Sequence, residues 1–402
     1  MTLHSCSQQI DFRVDLNDVA RGDGFLFVRD GIGVAGRGVA HRSTSLDVAT
    51  ELRSIAVAEG SFSPRAIGAI PFDPGGSGTF VIPELTVVKS ASGETNVVAV
   101  SSDPARAREI LDSAIVDLGA ATASPRPRAA TFDVGPITNV DIYLSAVAAA
   151  RDAVRRGDIT KAVIARDIGI SSDAPIDVHA VLLRLRASFG SSYRYSFEGL
   201  VGASPELLIE VEGLTVRSNP LAGTTARTGD PSTDRALAEA LLASDKNQIE
   251  HRVVVDMVHD TLLPFCSYLD WEPEPSVVAV ANVQHLGTKV EGRLTSAMPV
   301  TDLARLLCPT PALGGHPRAE AIELISRVEG MNRGLYGGGI GWCDGHGNGT
   351  FAVTIRCAEF SPDRRSARLF AGGGIVADSE PHAELAETQA KFQAMLSAIV
   401  RP

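Results

Sequence analysis

Features that would assign a protein to the membrane or secreted classes are missing from this 402-residue sequence. No uncharged apolar stretch is long enough to span a bilayer, and the first fifteen residues contain Asp11 and Arg13 instead of the apolar run of a secretory signal. The five cysteines are odd in number and none belongs to a Cys-x-x-Cys pair, which argues against a disulfide framework and against structural zinc. We therefore expect a protein of the reducing cytoplasm.

Positive charge is also scarce, since the net charge is −11. Neither nucleic acid nor an anionic membrane is an expected partner for such a chain. Hydrophobic residues make up 44% and charged residues 21% of the sequence, which is the balance of a globular protein with a substantial core. An anionic ligand would need a local cluster of cations or a metal ion.

Helix-like and strand-like segments are mixed along the chain, with no repeat at a fixed period. Residues 1–125 form a mixed, mostly β portion, and residues 131–402 form a second portion of the same cooperative unit. Ala120–Ala130, rich in Ala, Ser, Pro and Arg, is predicted to be a surface connection between them. The segments that matter below are predicted as helices at Pro104–Leu118, Asn139–Arg156, Ser232–Leu263 and His382–Ile399, and as strands at Lys161–Ile170 and Thr350–Phe360.

The C-terminal helix carries the first unusual pattern. Glu384, Glu387 and Lys391 fall at i, i+3 and i+7, so their side chains share one helical face. Before it, a strand enters a predicted triple-glycine loop, Gly372–Gly374, whose N–H groups could bind an anion. The alternative is an exposed helix face with an ordinary Glu–Lys pair after a flexible turn.

A second carboxylate, Glu250, lies in the long central helical region beside His251. Carboxylates from two different helices can hold a hard cation such as Mg²⁺, which keeps waters and accepts a substrate oxygen. The alternative is an exposed helix turn. For His251 we favour a hydrogen-bonded packing role over a ligand role.

Lys161 and Glu206 are candidates for proton transfer. Lys161 precedes an apolar strand, where burial would lower the pKa of its ammonium towards that of a base; alternatively, the side chain extends into water from the strand end. Glu206 follows a Ser-Pro turn and precedes another apolar strand, where a half-buried carboxyl group could stay protonated. The alternative for Glu206 is an exposed turn carboxylate.

In order and context, these segments resemble the chorismate-utilising enzymes, and most closely the isochorismate synthases. The resemblance is densest from Lys161 to the C-terminus and reaches Gly68–Pro74 in the N-terminal portion. The matching runs are Gly202–Leu208 (GASPELL), Pro220–Gly223 (PLAG), Leu242–Ser244 (LAS) with Glu250-His251, Pro309–Leu313 (PTPAL), Gly341–Asp344 (GWCD), Thr354–Ala358 (TIRCA) and Leu369–Val376 (LFAGGGIV). The family fold is a single large α+β domain, with two β-sheets wrapped by helices and the active site in a cleft.

The resemblance implies roles for the proton-transfer and metal residues. Lys161 falls on the general base that activates the attacking water, and Glu206 falls on the general acid that protonates the departing hydroxyl. Glu250 and Glu387 fall on direct ligands of Mg²⁺, with Glu384 close by through water. Mg²⁺ is therefore the implied cofactor.

It also implies which residues contact chorismate, the expected substrate. Arg356 and Lys391 fall on cations that bind the substrate carboxylates, and His285 falls on a histidine near the substrate ring. The remaining substrate-binding positions are small or apolar: Gly372, Gly373 and Gly374 in the carboxylate-binding loop, and Ala312 and Leu313 in the PTPAL run.

Three positions favour isochorismate synthase over its relatives. Lys161 is generally absent from the members that use ammonia, Ala222 replaces the nucleophilic lysine of aminodeoxychorismate synthases, and Ala312 stands where salicylate synthases tend to have threonine. Asn247 is a departure, because many relatives have an acidic residue there. We expect a monomer that needs no amidotransferase, and the resemblance favours neither menaquinone nor a siderophore pathway. Salicylate synthase, a glutamine-dependent amination subunit and a binding-only protein remain the alternatives.

Overall fold

The computed structural model describes residues 2–120, 130–280 and 283–401, with helices and strands interleaved throughout. The helices are α1 (Leu16–Ala20), α2 (Val48–Arg53), α3 (Pro104–Gly119), α4 (Val140–Arg156), α5 (Val178–Ser188), α6 (Pro231–Leu242), α7 (Asp245–Leu262), α8 (Val300–Leu307), α9 (Arg318–Val328) and α10 (Pro381–Val400), with a short 3₁₀ helix at Leu263–Phe265. The strands are β1 (His4–Ile10), β2 (Phe25–Arg29), β3 (Ile32–Arg37), β4 (His41–Ser43), β5 (Ala56–Val57), β6 (Arg65–Ile70), β7 (Thr79–Ile82), β8 (Leu85–Lys89), β9 (Thr95–Ser101), β10 (Phe132–Pro136), β11 (Lys161–Ser172), β12 (Tyr193–Phe197), β13 (Leu200–Ser204), β14 (Leu207–Glu212), β15 (Thr215–Asn219), β16 (Leu221–Ala226), β17 (Cys266–Trp271), β18 (Ser276–Ala279), β19 (Val283–Gly287), β20 (Val290–Leu294), β21 (Gly315–His316), β22 (Gly339–Asp344), β23 (Gly349–Val353), β24 (Cys357–Phe360) and β25 (Ser366–Ile375). None of the helices in these ranges is long and apolar enough to cross a membrane.

Two large sheets contain most of these strands. The first has the order β10-β11-β25-β24-β13-β12-β2-β3-β8-β9-β1-β5, with β21 paired to β11, and the second has the order β17-β20-β15-β14-β23-β22-β6-β7-β4. Their neighbours are antiparallel except for β1 and β5. The α+β prediction is confirmed, and a third, small sheet of order β16-β19-β18 accompanies the two that were predicted.

The main core lies between the two large sheets, because successive side chains of a strand point to opposite faces. In β9, Val98 and Val100 belong to the apolar cluster shared by both sheets. Val97 and Ala99 point the other way, into a second cluster with α3 and α10. The first sheet is therefore covered on both faces.

Several predicted elements are confirmed. Helix α4 begins after Asn139, whose side chain accepts a hydrogen bond from the Asp141 N–H, and it ends at Gly157 in the left-handed conformation.

The connection predicted at Ala120–Ala130 lies almost entirely outside the described residues. Strands from before and after it share both large sheets, since β2 pairs with β12 and β6 with β22, and the division near residue 125 stays a prediction.

The single helix predicted at Ser232–Leu263 is wrong, because the segment forms α6 and α7. The break falls at Ala243 and Ser244, and the Ser244 side chain accepts a hydrogen bond from the Asn247 N–H. A serine at this position favours a new helix start over continuation of the old helix. The second start lies one turn before Glu250 and directs α7 along β16.

The single strand predicted at Thr350–Phe360 is also wrong. It divides into β23, which belongs to the second sheet, and β24, which belongs to the first. Between them Arg356 has a φ of 53°, which is uncommon for a residue with a side chain and is typical of functional sites. The bend therefore carries the chain from one sheet to the other and places Arg356 at the crossing.

The triple-glycine loop is a third wrong prediction, since Gly372, Gly373 and Gly374 lie inside β25. They pair in register with Ala165, Ile164 and Val163 of β11. Glycines are depleted in strand interiors and often mark close approach by another group, so their presence here needs a packing reason, which the site supplies.

A buried ion pair takes the place of a neighbouring strand beside the middle of β11. Arg333 and Glu329 are each 2% exposed, with Nη2 and Oε1 2.5 Å apart. Glu329 accepts the Ala165 N–H at 2.6 Å, while Arg333 donates to the Val163 and Leu313 carbonyls at 2.6 and 2.8 Å. The pair satisfies backbone groups that no strand reaches and joins β11 to the segment that carries Leu313.

Arg333→Met is expected to destabilise the protein by about 3–5 kcal/mol, because it leaves the Glu329 carboxylate buried without its partner. The measurement is the urea midpoint together with the melting temperature. Arg327→Met is the matched control, since Arg327 forms an exposed pair with Glu323 and should change stability by less than about 0.5 kcal/mol. Equal losses of stability in Arg333→Met and Arg327→Met would show that the buried pair of Arg333 and Glu329 contributes no more than an exposed pair.

Candidate functional site

A cavity of about 300 Å³ lies where β11, β25, the small sheet and helices α7 and α10 meet. It brings together nearly every residue that the sequence analysis selected. The selected residues that line it are Lys161, Glu206, Glu250, His285, Ala312, Leu313, Arg356, Gly372, Gly374, Glu384, Glu387 and Lys391. Gly373 does not line the cavity, but it lies against the Glu384 carboxylate.

Lys161 is the first residue of β11 and is 4% exposed, so it does not extend into water. Its Nζ donates to Glu250 Oε1 at 2.5 Å. Burial would raise the pKa of Glu250, but Lys161, assisted by Lys391 and Lys246, holds that pKa below its usual value. No feature of the local sequence predicted this contact between Lys161 and Glu250.

The glycines of β25 make room for these side chains. A Cβ at Gly374 would lie 2.6 Å from Lys161 Cε and 3.1 Å from Glu250 Oε1, and one at Gly373 would lie 2.7 Å from Glu384 Oε2. Any larger residue would displace Lys161 or Glu384. Gly373 and Gly374 therefore allow the charged side chains of Lys161 and Glu384 to lie close against a paired strand.

The carboxylates of α10 face the same space. Glu387 Oε1 accepts from Lys391 Nζ at 2.6 Å, and Glu384 Oε1 accepts from Ser379 at 2.8 Å. Burial raises the pKa of Glu384, and the nearby Glu387 charge adds to this shift. The carboxylate of Glu384 is therefore in a place where an added cation would be favourable.

These donors fit a partial ligand set for Mg²⁺. Within residues 2–120, 130–280 and 283–401, no three His, Cys, Asp or Glu side chains are grouped closely enough to hold a metal ion. Mg²⁺ commonly takes one or two carboxylates and completes its shell with waters and substrate oxygens. Glu250 and Glu387 supply two such carboxylates on the cavity wall, although each also has an oxygen on a lysine.

Glu206 lies in the short link between β13 and β14 and is 3% exposed. Burial raises the pKa of its carboxyl group to about 8, although the Leu221 N–H and the charge of Lys161 act in the opposite direction. The sequence analysis expected a half-buried group, whereas the structure buries it fully. At neutral pH the site therefore contains a protonated carboxylic acid, which can donate.

Arg356 supplies a cation whose guanidinium is incompletely satisfied. Its carbonyl accepts from the Ala203 N–H at 3.1 Å, while its buried Nη1 has no hydrogen-bond partner among the described residues. A buried donor left unpaired is unfavourable unless a ligand completes it. Together with the ammonium of Lys391, this donor suits a carboxylate.

Among the residues of the cavity wall that were not predicted as site residues are Lys246 and Tyr336. Lys246 lies one turn before Glu250 on α7, in a polar stretch where an exposed lysine is ordinary. Tyr336 stacks on Phe370 with ring centroids 5.1 Å apart and forms an apolar wall. The position of Lys246 on the Glu250 face was a usable signal, whereas no local pattern indicated Tyr336.

Comparisons with known proteins agree with this geometry. The family model described as chorismate binding enzyme matches residues 43–400. The chain is 37% identical over 347 residues to isochorismate synthase EntC of Escherichia coli (strain K12), covering 85% of this chain and 83% of that protein. It is 38% identical over 281 residues to isochorismate synthase DhbC of Bacillus subtilis (strain 168), covering 67% and 70%. The solved structure of MenF, the menaquinone-specific isochorismate synthase from Escherichia coli, matches with a TM-score of 0.86 at 26% identity, covering 99% of this chain and 95% of that one.

Glu206→Gln is expected to stabilise the protein at pH 8 and to have much less effect at pH 5. Above the ordinary pKa of 4.5 the unfolded chain loses the Glu206 proton, whereas the folded chain keeps it until the pH passes about 8. Wild-type stability should therefore fall across this window, by up to about 1.4 kcal/mol per pH unit from this group. Glutamine does not ionise and can still accept the Leu221 N–H.

The measurement is the melting temperature of wild type and variant at both pH values. Glu212→Gln, at an exposed position of β14, is the matched control for loss of a carboxylate from the strand that follows Glu206. A difference between wild type and Glu206→Gln that does not change with pH would show that Glu206 ionises normally in the folded protein.

Proposed function

This chain belongs to the chorismate-binding enzymes, and we propose that it is an isochorismate synthase, which converts chorismate to isochorismate. The observation that carries the proposal is a cavity lined by two buried side chains that can exchange protons, the carboxyl group of Glu206 and the amino group of Lys161. Addition of water and departure of a hydroxide require a base and an acid in one site. The activity named for the relatives in E. coli and B. subtilis supports the same assignment.

The proposed reaction adds water at carbon 2 of the ring and expels the hydroxyl of carbon 4. Lys161 takes a proton from the attacking water while the new carbon–oxygen bond forms. Glu206 gives its proton to the departing hydroxyl, so one water enters and one leaves and the product is an isomer. Each proton transfer would contribute on the order of 10²–10⁴-fold to the rate.

Binding of the substrate depends on local charge, because chorismate is a dianion and the protein has a net charge of −11. Arg356 and Lys391 would bind its carboxylates, and the unpaired Nη1 of Arg356 is the most direct support for this role. Leu313 and Tyr336 border the same cavity and would contact the apolar parts of the ring. These contacts orient the ring between the proposed base and acid.

We propose that Glu250 and Glu387 hold Mg²⁺ directly and Glu384 through water. When bound, the ion would offset substrate charge and draw electron density from a substrate oxygen. Asn247 lines the same wall and donates from Nδ2 to Ser244 at 2.9 Å. It contributes a neutral amide in place of the carboxylate of many relatives, which weakens any outer contact to the ion.

Reaction choice rests on small side chains in the cavity wall. Ala222 provides no nucleophile for a covalent intermediate, and Ala312 provides no hydroxyl of the kind that salicylate synthases carry. Both residues line the cavity. We propose that the protein uses water, works without an amidotransferase and acts as a monomer.

Incubation with chorismate and Mg²⁺, followed by chromatographic separation, is expected to give isochorismate with little pyruvate and no aminated product in ammonium salts. Lys161→Ala should lower turnover at least about 100-fold, the loss typical of a removed general base. Lys289→Ala is the matched control, since Lys289 forms an exposed pair with Glu272. Turnover in Lys161→Ala above about a tenth of wild type would show that another residue acts as the general base.

The same assay separates the alternatives. Ala312→Thr is expected to raise the ratio of pyruvate to isochorismate, because it adds the hydroxyl that pyruvate-eliminating relatives carry. Stoichiometric pyruvate from the wild-type protein would instead make it a salicylate synthase. A requirement for glutamine and a second subunit would make it an amination subunit.

Glu250→Gln and Glu387→Gln are each expected to weaken Mg²⁺ binding at least about tenfold, because a neutral amide is a poor ligand for a hard cation. Isothermal titration calorimetry, in the presence and absence of chorismate, measures this without relying on turnover. Asp256→Asn is the matched control, as an exposed carboxylate on α7. Unchanged affinity in both variants would remove these residues from the metal site.

A further inference from the structure

His285 lies between the small sheet and the guanidinium of Arg356. It is part of β19 and is 8% exposed. Its Nε2 lies 3.3 Å from Arg356 Nη2, and its Nδ1 lies 3.0 Å from Thr224 Oγ1 and 3.3 Å from the Gly223 carbonyl. Both ring nitrogens therefore have a partner within the protein.

The partners fix the direction of each hydrogen bond. Guanidinium nitrogens only donate, so Nε2 has to accept from Arg356. A carbonyl only accepts, so the Nδ1–H has to point towards Gly223 or Thr224. These two requirements, from opposite sides of the ring, select the same neutral tautomer, with the proton on Nδ1.

The charges around His285 favour the neutral ring as well. Burial lowers its pKa to about 3, and the charges of Arg356 and Lys391 act in the same direction. A protonated ring would direct an Nε2–H at a guanidinium N–H and push Arg356 away. The position of Arg356 seen here is thus compatible only with neutral His285.

The backbone of Arg356 is fixed by hydrogen bonds, whereas its guanidinium group is not fixed by them. The guanidinium group therefore needs a hydrogen-bond partner such as His285. The backbone is fixed at the crossing between sheets, where Ala203 donates to its carbonyl and Tyr195 donates to the Ile355 carbonyl at 2.8 Å. At the guanidinium, Nη1 has no hydrogen-bond partner in the part of the chain that the structure describes, and Nη2 has His285. A flexible four-atom stem would otherwise leave the terminal plane free to rotate.

We propose that His285 is a positioning residue, which orients the Arg356 guanidinium for a substrate carboxylate by accepting a hydrogen bond at Nε2, with Thr224 and Gly223 setting its tautomer. The proposal deepens the proposed function and rests on it, since it gives His285 a role through Arg356 in place of one at the ring. Its effect should fall on chorismate affinity more than on the chemical step.

His285→Leu and His285→Gln form a matched pair for the test, because glutamine can place an amide oxygen near the Nε2 position and leucine cannot. We expect His285→Leu to weaken chorismate binding roughly ten- to hundredfold, the loss typical of a hydrogen bond to a charged group. KM should rise accordingly with a smaller change in kcat, and His285→Gln should recover most of the loss. Equal losses in the two variants would overturn the proposal.

A double-mutant cycle with Arg356→Met separates the two roles of His285. If His285 acts through Arg356, then His285→Leu should cost almost nothing further once Arg356 is methionine. Fully additive losses would show that His285 contacts the substrate independently. The cycle is measured as chorismate binding by calorimetry, so it can be evaluated even if product analysis shows a reaction other than isochorismate formation.

The protonation of the two ring nitrogens can be measured on the wild-type protein, with variants of His285 and Thr224 used for assignment and control. Nitrogen-15 NMR of the imidazole, assigned by its absence in His285→Gln, should show a protonated Nδ1 and an unprotonated Nε2 at neutral pH. Thr224→Val should shift the Nδ1 signal while Thr224→Ser restores it. A protonated Nε2, in either the neutral or the charged ring, would overturn the proposal.

Discussion

The pairing of β11 with β25 is the constraint on which the site depends. Ten consecutive residue pairs join Ala162–Ser171 to Ser366–Ile375, so the two strands fix one another's position along this length. The pairing places Lys161 at the strand end beside Gly374, and α10 begins six residues after β25 with its carboxylates turned back towards the same point. The ammonium of Lys391 then reaches the Gly372 carbonyl at 2.7 Å, which closes α10 onto the strand that precedes it.

Within this frame, two glutamates are kept in different electrostatic states. Glu206 is buried with no ion-pair partner among the described residues, and burial raises the pKa of its carboxyl group to about 8. Glu250 is also buried, but Lys161 lies 2.5 Å from it and keeps it ionised. Environments that push the pKa values of two carboxyl groups apart are how one site can contain both a protonated carboxylic acid and a carboxylate anion. The difference comes from tertiary neighbours and could not come from the residue type.

Local sequence predicted what depends on one segment. The shared face of Glu384, Glu387 and Lys391 follows from helical geometry alone. For Lys161, the apolar strand after it left burial and extension into water as alternatives. What local sequence could not predict depends on distant partners. The contact between Lys161 and Glu250 spans 89 residues, and the glycines of β25 look like a loop until Lys161 and Glu384 are seen lying across them. The bend at Arg356 could not be predicted because both halves of Thr350–Phe360 are good strand formers. Only their pairing with strands of two different sheets shows that the segment divides.

The charges of the cavity explain why a dianion and a divalent cation suit it together. Four cationic side chains line it, Lys161, Lys246, Arg356 and Lys391, against three carboxylates, Glu250, Glu384 and Glu387, with Glu206 protonated. Counting these gives 4 − 3 = +1 for the empty wall, if the three carboxylates are ionised and Lys161 is protonated; with Lys161 neutral, as its proposed role as base requires, the count is 3 − 3 = 0. With Lys161 neutral, a dianion such as chorismate would bring the site to −2, and a divalent cation would return it to 0. Each ligand therefore removes an imbalance that the other creates, and by linkage the affinity of each should rise by the same factor when the other is bound. Such reciprocity would let a protein with a net charge of −11 bind an anionic substrate without a broad basic surface.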